Sequence, residues 1–321
     1  MIKYKLVSFI KIALPTLSVQ ITQACNYSCI HCDFQKSIRM TMNQRPLHMS
    51  LELFHKIVEQ YQAYAPNTLR HVSLSAGGEP MMHPSFNEIC RYLDRAGISF
   101  GFDTNASKLD FPTATGLLSL PHFKRIVFSV DGFSADVYEA IRRGGNFENV
   151  IENIRNFLAL AGYYDRKDIT TRINMVLQSK NVHEVENMIS YWTPQVSQVN
   201  ISVLRKGTRF ISPNWLPAER KSCDFLRNYM RILTDGTVIV CCIDDQFVSF
   251  IGNFNESSLE DIWNGPEYQK LRAAHDSGDY GYFPVCSDCD AWAGFYPARE
   301  FRQFSDTITV GVRPANIIAF K

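Results

Sequence analysis

The chain has 321 residues, enough for one large domain or a large domain with a smaller appendage, and far more than the size that needs disulfide staples. With 45% apolar and 20% charged residues it is neither disordered nor a coiled coil, and a net charge of +1 gives no global field for a polyanion, so nucleic acid is not the expected partner. Nine cysteines, an odd number in clusters, argue against a secreted disulfide framework and for metal or redox chemistry in a reducing compartment, with the cytoplasm as the expected location.

In chain order, the lysines and apolar residues before Leu14 do not make a signal peptide, because Lys11 and Pro15 interrupt the run and no small-residue cleavage pattern precedes Cys25. No apolar run reaches the ~18 residues that cross a bilayer, so no membrane association is expected. Strand-like runs occur at 18–23, 71–75, 99–103, 125–130, 171–177 and 199–204. Helical patterns alternate with them: Leu51, Phe54, Val58 and Tyr61 share one face, as do Phe86, Ile89, Cys90 and Leu93, then Val150, Ile154, Phe157 and Leu158. Ser85 with Glu88 reads as a capping box and Gly97 as the stop of the same helix, while Cys90 on its apolar face reads as core. Such alternation means parallel strands joined by crossover helices, an α/β sheet or barrel of six units. After about Arg205 the pattern changes to a loop at 207–217 and a hairpin of 229–233 and 238–240 around Asp235-Gly236. The expected units are therefore residues 1–205 and 206–321.

Cys25, Cys29 and Cys32 follow the first strand with the spacing CxxxCxxC. Three thiolates on one short loop suit a soft-metal site, and a 4Fe-4S cluster held by three cysteines keeps one iron open to an exogenous ligand. Zinc, with His31 as fourth ligand, is the alternative. The order CxxxCxxC, then GGEP at 77–80, Asp103-Thr104-Asn105 and Phe128-Ser129-Val130-Asp131-Gly132, each at the end of a strand, resembles the radical S-adenosylmethionine (radical SAM) superfamily. The resemblance implies a partial (β/α)6 barrel with its site at the C-terminal strand ends, and S-adenosylmethionine chelated to the open iron. It also implies that Gly77, Gly78 and Glu79 meet the methionyl amino group and that His31 lies near the adenine. Asn105 and Ser129 would reach the methionyl and ribose groups, or simply cap their strand ends.

Cys223, Cys241, Cys286 and Cys289 form a second group, and with the IGN…SL…IW…LR string between them they resemble the SPASM/twitch extension of radical SAM enzymes. The string itself reads as a turn, a Ser258 N-cap and a helix with Leu259 and Ile262 inward. The resemblance implies a small C-terminal α+β domain, and four cysteines fit one auxiliary 4Fe-4S cluster, the shorter twitch form, with structural zinc as the alternative. Cys242 neighbours a ligand and, on a strand, would face away from it: either a hydrogen-atom donor or a small buried side chain.

The implied reaction is hydrogen abstraction by a 5′-deoxyadenosyl radical from an aminosugar- or cyclitol-like molecule or a peptide, followed by epimerisation through Cys242 or by dehydrogenation. A reductant such as flavodoxin or ferredoxin would supply electrons. Enzymes that act on leader-bearing peptides commonly carry a separate leader-binding domain, and only 24 residues precede Cys25, which disfavours without excluding a leader-dependent peptide. Arg205, Arg209, Asp244, Asp245 and Arg299 are candidate substrate groups, whereas Arg142 and Arg143 read as a solvated helix end. The rival class is a non-catalytic iron-sulfur electron carrier or a zinc-stabilised binding module.

Overall fold

A computed structural model of the chain describes residues 14, 16–32, 45–64, 70–75, 77–206, 209–210, 220–292, 300–305, 308–312 and 316–320. Strands β1 (Thr16–Val19), β2 (His71–Ser73), β3 (Ser99–Thr104), β4 (Phe123–Ser129), β5 (Thr170–Leu177) and β6 (Gln198–Val203) lie side by side in chain order, each parallel to the next. Between them run α1 (Leu51–Tyr64), α2 (Phe86–Arg95), α3 (Phe111–Leu118), α4 (Ala135–Ile141), α5 (Phe147–Tyr163) and α6 (Val185–Trp192). This is the expected six-unit α/β arrangement.

Side chains alternate across each strand, and the two faces differ in character. Leu17, Val72, Phe100, Phe102, Ile126 and Phe128 are at most 1% exposed. Phe102 meets Phe86 and Phe123, and Phe157 of α5 meets Phe123 and Phe128, with ring centroids 5.3–6.4 Å apart. Each such fully buried ring contributes about 1.5–3 kcal/mol through the area it removes from water. The opposite face carries Ser18, Ser73, Asp103, Ser129, Asn174 and Asn200, placed in register by the strand pairing.

Ser85 does precede α2, but its side chain makes no capping bond. Its N–H donates to His83 Nδ1 at 3.0 Å instead, which corrects the expected capping box. The stop is as expected: Gly97 takes φ +65° and Ile98 N–H reaches Leu93 O at 3.1 Å, a six-to-one closure that a Cβ would oppose.

The remaining elements are β7 (Arg205–Lys206), β8 (Arg209–Phe210), α7 (Phe225–Asn228), β9 (Tyr229–Ile232), β10 (Thr237–Ile239) and β11 (Phe250–Asn253). They are followed by α8 (Leu259–Trp263), α9 (Pro266–Asp276), α10 (Pro284–Ser287), β12 (Glu300–Ser305), β13 (Ile308–Val312) and β14 (Asn316–Phe320). The hairpin β9–β10 turns at Asp235-Gly236, and β9 pairs parallel with β1, so the late segment extends the same sheet. On the far edge β14 lies antiparallel to β6, with β13 and β12 beyond it, making twelve strands among the described residues. The sequence reading did not anticipate these last three strands.

Ser258 Oγ accepts from Asp261 N–H at 3.2 Å, and Leu259 and Ile262 are buried, as the string implied. The α8 turn docks on α1, where Gln60 Oε1 accepts from Leu259 N–H at 2.7 Å and Lys56 Nζ donates to Phe254 O at 2.7 Å. Among the described residues no helix is long and apolar enough to cross a membrane.

Candidate functional site

The loop that leaves β1 carries Cys25, Cys29 and Cys32, all partly exposed. It is pinned to the end of α4 and the residues just after it by Ser28 N–H to Arg143 O at 2.8 Å and Ile30 N–H to Ile141 O at 3.0 Å. Burial pushes the Cys25 thiol up to about 11, and burial raises Cys29 too, against the pull of the Arg142 guanidinium. Thiols held protonated in this way release protons when a metal binds them.

Arg142 was expected at a solvated helix end, and the structure corrects this. It is 7% exposed, and its Nη2 lies 2.8 Å from Oδ2 of the fully buried Asp131. Burial alone would lower the Arg142 pKa, but Asp131, then Cys29, outweigh it and hold the guanidinium charged. Asp131 Oδ1 accepts from Val176 N–H at 2.6 Å, and its Oδ2 is 3.5 Å from His31 Nε2. A buried ion pair thus stands beside the thiol loop, its Arg142 member favouring the Cys29 thiolate and its Asp131 member opposing it.

Gly77 and Gly78 adopt φ +109° and +70°. A Cβ on Gly78 would fall 2.5 Å from Thr22 O and 2.8 Å from Ala24 O, so only glycine lets this turn rest against the cysteine loop. The next residue locks the approach, with Glu79 N–H donating to Ala24 O at 2.7 Å. The Glu79 carboxylate is 2% exposed and accepts from Thr104 Oγ1 at 2.8 Å and Asn105 N–H at 2.7 Å. Burial raises its pKa to about 7 despite these bonds. Asn105 donates from Nδ2 to Asn26 at 3.0 Å and accepts on Oδ1 from Ser107 N–H at 2.9 Å, a capping pattern that ties β3 to the cysteine loop. Ser129 ends β4 opposite Asn174.

The structure therefore brings Cys25, His31, Gly78, Glu79 and Asn105 to one end of the parallel strands. Residues that the sequence reading missed complete this end. Asn200 Nδ2 donates to Asn174 Oδ1 at 2.5 Å and to Ser202 Oγ at 2.7 Å on the polar face of β5 and β6. The signal was present in both strands, where a single asparagine interrupts an apolar run.

Cys223, Cys241, Cys286 and Cys289 line one pocket, walled by Phe225, Leu226, Val240, Val285 and Trp292. Burial pushes Cys223 and Cys286 up to about 12 and raises Cys241 well above its ordinary value, with the neighbouring thiols adding to each. Arg220 holds the CxxC turn through Cys286 O at 2.6 Å and Ser287 O at 2.9 Å. Cys242 does not line the pocket, although it lies near enough to Cys223 and Cys241 to help raise their pKa values. The opposite-face argument for it fails, because β10 ends at Ile239 and both cysteines lie in the turn beyond.

Asp244 is 2% exposed and closes that turn by accepting from Val248 N–H at 3.1 Å and Ser249 N–H at 2.8 Å, so it is committed to structure. Asp245 lies in the same turn, and Arg205 sits near enough to Cys289 to favour its thiolate. The side chain of Arg209 and the whole of Arg299 lie outside the described residues.

Both cysteine sets fit iron-sulfur clusters by their donors. Among the described residues, no three His, Cys, Asp or Glu side chains converge as a single-ion site. The fit rests instead on three thiols on an accessible loop, and on four thiols enclosed in an apolar pocket with N–H donors left over. Arg220 Nε and both ring nitrogens of His275, which line that pocket, have no hydrogen-bond partner among the described residues.

Comparison with known proteins agrees. The family model of the radical SAM superfamily matches residues 19–191, and that of an iron-sulfur cluster-binding domain, SPASM, matches residues 223–290. Mycofactocin maturase MftC of Mycobacterium ulcerans is 25% identical over 89% of this chain and 83% of its own length. That of Mycobacterium tuberculosis is 26% identical over 60% of this chain but only 45% of its own, so this chain matches about half of that relative. Streptococcus suis SuiB bound to precursor peptide SuiA superposes with TM-score 0.63 at 15% identity, over 81% of this chain and 67% of that one. BtrN in complex with AdoMet and 2-DOIA gives TM-score 0.57 at 16% identity, over 87% and 93%. The cofactors are accordingly a 4Fe-4S cluster, S-adenosylmethionine and an auxiliary iron-sulfur cluster, and the chain belongs to the radical SAM superfamily, with a C-terminal SPASM domain.

Proposed function

We propose that the chain is a radical SAM oxidoreductase that dehydrogenates a polar substrate, either a peptide segment or an aminosugar-like small molecule. Cys25, Cys29 and Cys32 hold the cluster that chelates S-adenosylmethionine, and Cys223, Cys241, Cys286 and Cys289 hold the auxiliary cluster. Residues 1–205 and 206–321 are the corresponding functional units. When bound, these groups supply a 5′-deoxyadenosyl radical for hydrogen abstraction and an acceptor for one further electron. Loss of that hydrogen atom, the electron and a proton converts a secondary alcohol to a ketone.

The polypeptide's part is positioning. Gly77 and Gly78 let the sulfonium's amino group approach the backbone, Glu79 faces that group, and His31 with Asn105 and Ser129 flank the adenosyl part. The polar row of Asn174, Asn200 and Ser202 gives a substrate hydrogen-bonding partners at the mouth of the strands. MftC and peptide-bound SuiB favour a peptide, whereas BtrN with 2-DOIA favours a small molecule. A flavodoxin or ferredoxin is the proposed reductant.

The observation that carries dehydrogenation is the enclosure of four thiols in one pocket that leaves Cys242 out. A complete ligand set has no vacant iron for a substrate, and its role is then electron transfer. Cys242 beside that pocket favours a second reading, in which its thiol returns a hydrogen atom to the substrate radical and inverts a stereocentre. Turnover in deuterated buffer separates the two. Dehydrogenation gives an oxidised product with no deuterium at the reacting carbon and persists in Cys242→Ala. One retained deuterium at unchanged oxidation level, lost in Cys242→Ala, would establish inversion instead.

A further inference from the structure

Two polar residues that cysteine spacing does not account for, Arg220 and His275, also line the pocket of the four late thiols. His275, in the last turn of α9, is 3% exposed, lines the pocket, and has no hydrogen-bond partner among the described residues at either Nδ1 or Nε2. Tyr280 meets the ring edge-on, with centroids 5.1 Å apart at 81°, and the Arg220 guanidinium lies over the Tyr280 ring, 3.9 Å from its centroid. The ring is thus fixed in place by aromatic packing while its polar atoms are left unused.

Leaving a buried donor or acceptor unsatisfied costs about 1–3 kcal/mol, and a bound water, ion or cofactor is one thing that can meet such a group. Here the space beside the ring is bounded by four thiols. Thiolate and sulfide sulfurs around iron are electron-rich acceptors, and an imidazole carries at least one N–H in either of its ordinary protonation states. Apart from Arg220, itself a donor, the remaining wall residues are apolar, so the sulfurs are the acceptors this lining offers to that N–H.

We propose that His275 is a positioning residue of the auxiliary cluster: its ring N–H donates to a sulfur of the cluster or of a ligating cysteine and raises the reduction potential. Hydrogen bonds to sulfur and exclusion of solvent are the protein's levers on such potentials. A higher potential makes this cluster the better acceptor of the electron released during substrate oxidation. The inference rests on the assignment of the auxiliary cluster to this pocket.

The test uses the full chain with Cys25, Cys29 and Cys32 replaced by Ala, so that only the auxiliary site loads iron. Redox titration followed by electron paramagnetic resonance compares this parent with added His275→Leu or His275→Gln. The expected result is unchanged iron and sulfide in His275→Leu with a more negative midpoint. The shift should be at least tenfold in the reduced-to-oxidised ratio at fixed potential, or 59 mV for a one-electron couple. His275→Gln, which restores an N–H, should recover most of it. Because His275→Leu could fail to fold, the parent labelled with 15N-histidine is measured as well, and its reduced cluster should show a weak 15N coupling in pulsed resonance. Coincident midpoints, no 15N coupling, or the strong coupling of a direct iron–nitrogen bond would each overturn the inference. A parent that takes up no iron overturns the pocket assignment itself and the inference with it.

Discussion

Arg142 and Asp131 form a buried ion pair, 2.8 Å between Nη2 and Oδ2, against the loop of the three early cysteines. Removing one member of such a pair leaves an uncompensated charge in a low-dielectric site and costs about 3–5 kcal/mol, whereas removing both costs much less. Arg142→Met and Asp131→Asn should each lower the urea midpoint by that equivalent, and the double variant should recover a large part. Additive losses in the double variant would show that the two groups act separately.

His71 gives the fold a pH dependence far from the cysteines. Burial, helped by the Arg125 charge, lowers its pKa from 6.5 to about 4, and its Nδ1 lies 3.1 Å from Ser99 Oγ. Below pH 6.5 the unfolded chain takes up a proton that the folded chain refuses until about pH 4. This contribution to stability is therefore complete above pH 6.5 and is lost as pH falls toward 4, by up to about 3 kcal/mol. Chemical denaturation of the wild type and His71→Asn between pH 4 and 8 checks it, with a flatter profile expected for the variant. Parallel profiles would remove His71 as the cause.

Gly78→Ala places a methyl group against two backbone carbonyls at a positive φ, where no side-chain rotation relieves the contact. The left-handed conformation alone costs about 1–2 kcal/mol for a residue with a Cβ. S-adenosylmethionine should bind at least tenfold more weakly to the variant by calorimetry at unchanged iron content. Equal affinity would mean that this turn does not shape the site.

The six parallel units were legible because each strand-and-helix pair writes its own period into the chain, and the motifs at the strand ends followed from that placement. What escaped was long-range. Arg142 sits in a string of arginines and glycines that looks like surface, and only the fold brings it to Asp131. The strands β12–β14 join the sheet through pairing with β6, more than a hundred residues earlier, which no local pattern records. The capping box failed because a buried His83 took the place of Glu88 as partner to Ser85. His275 lies among charged residues on a helix end, so its burial against the thiols is a property of packing alone.

Cys286→Ala removes one of four enclosed thiols and leaves the early loop intact. Iron should fall from about eight to about four per chain, the content of one four-iron cluster. Release of 5′-deoxyadenosine should continue while oxidised product is lost, as read by chromatography of both from one reaction. Product formation at the wild-type rate would detach the late pocket from turnover.

The most direct measurement is reductive cleavage of S-adenosylmethionine by anaerobically reconstituted protein with dithionite, following 5′-deoxyadenosine. The account predicts that the wild type releases it, and that Cys25→Ala, Cys29→Ala and Cys32→Ala each abolish release while keeping the auxiliary iron. Cleavage that survives loss of these thiols, or a wild type that loads both sites with iron and cleaves nothing, would contradict it.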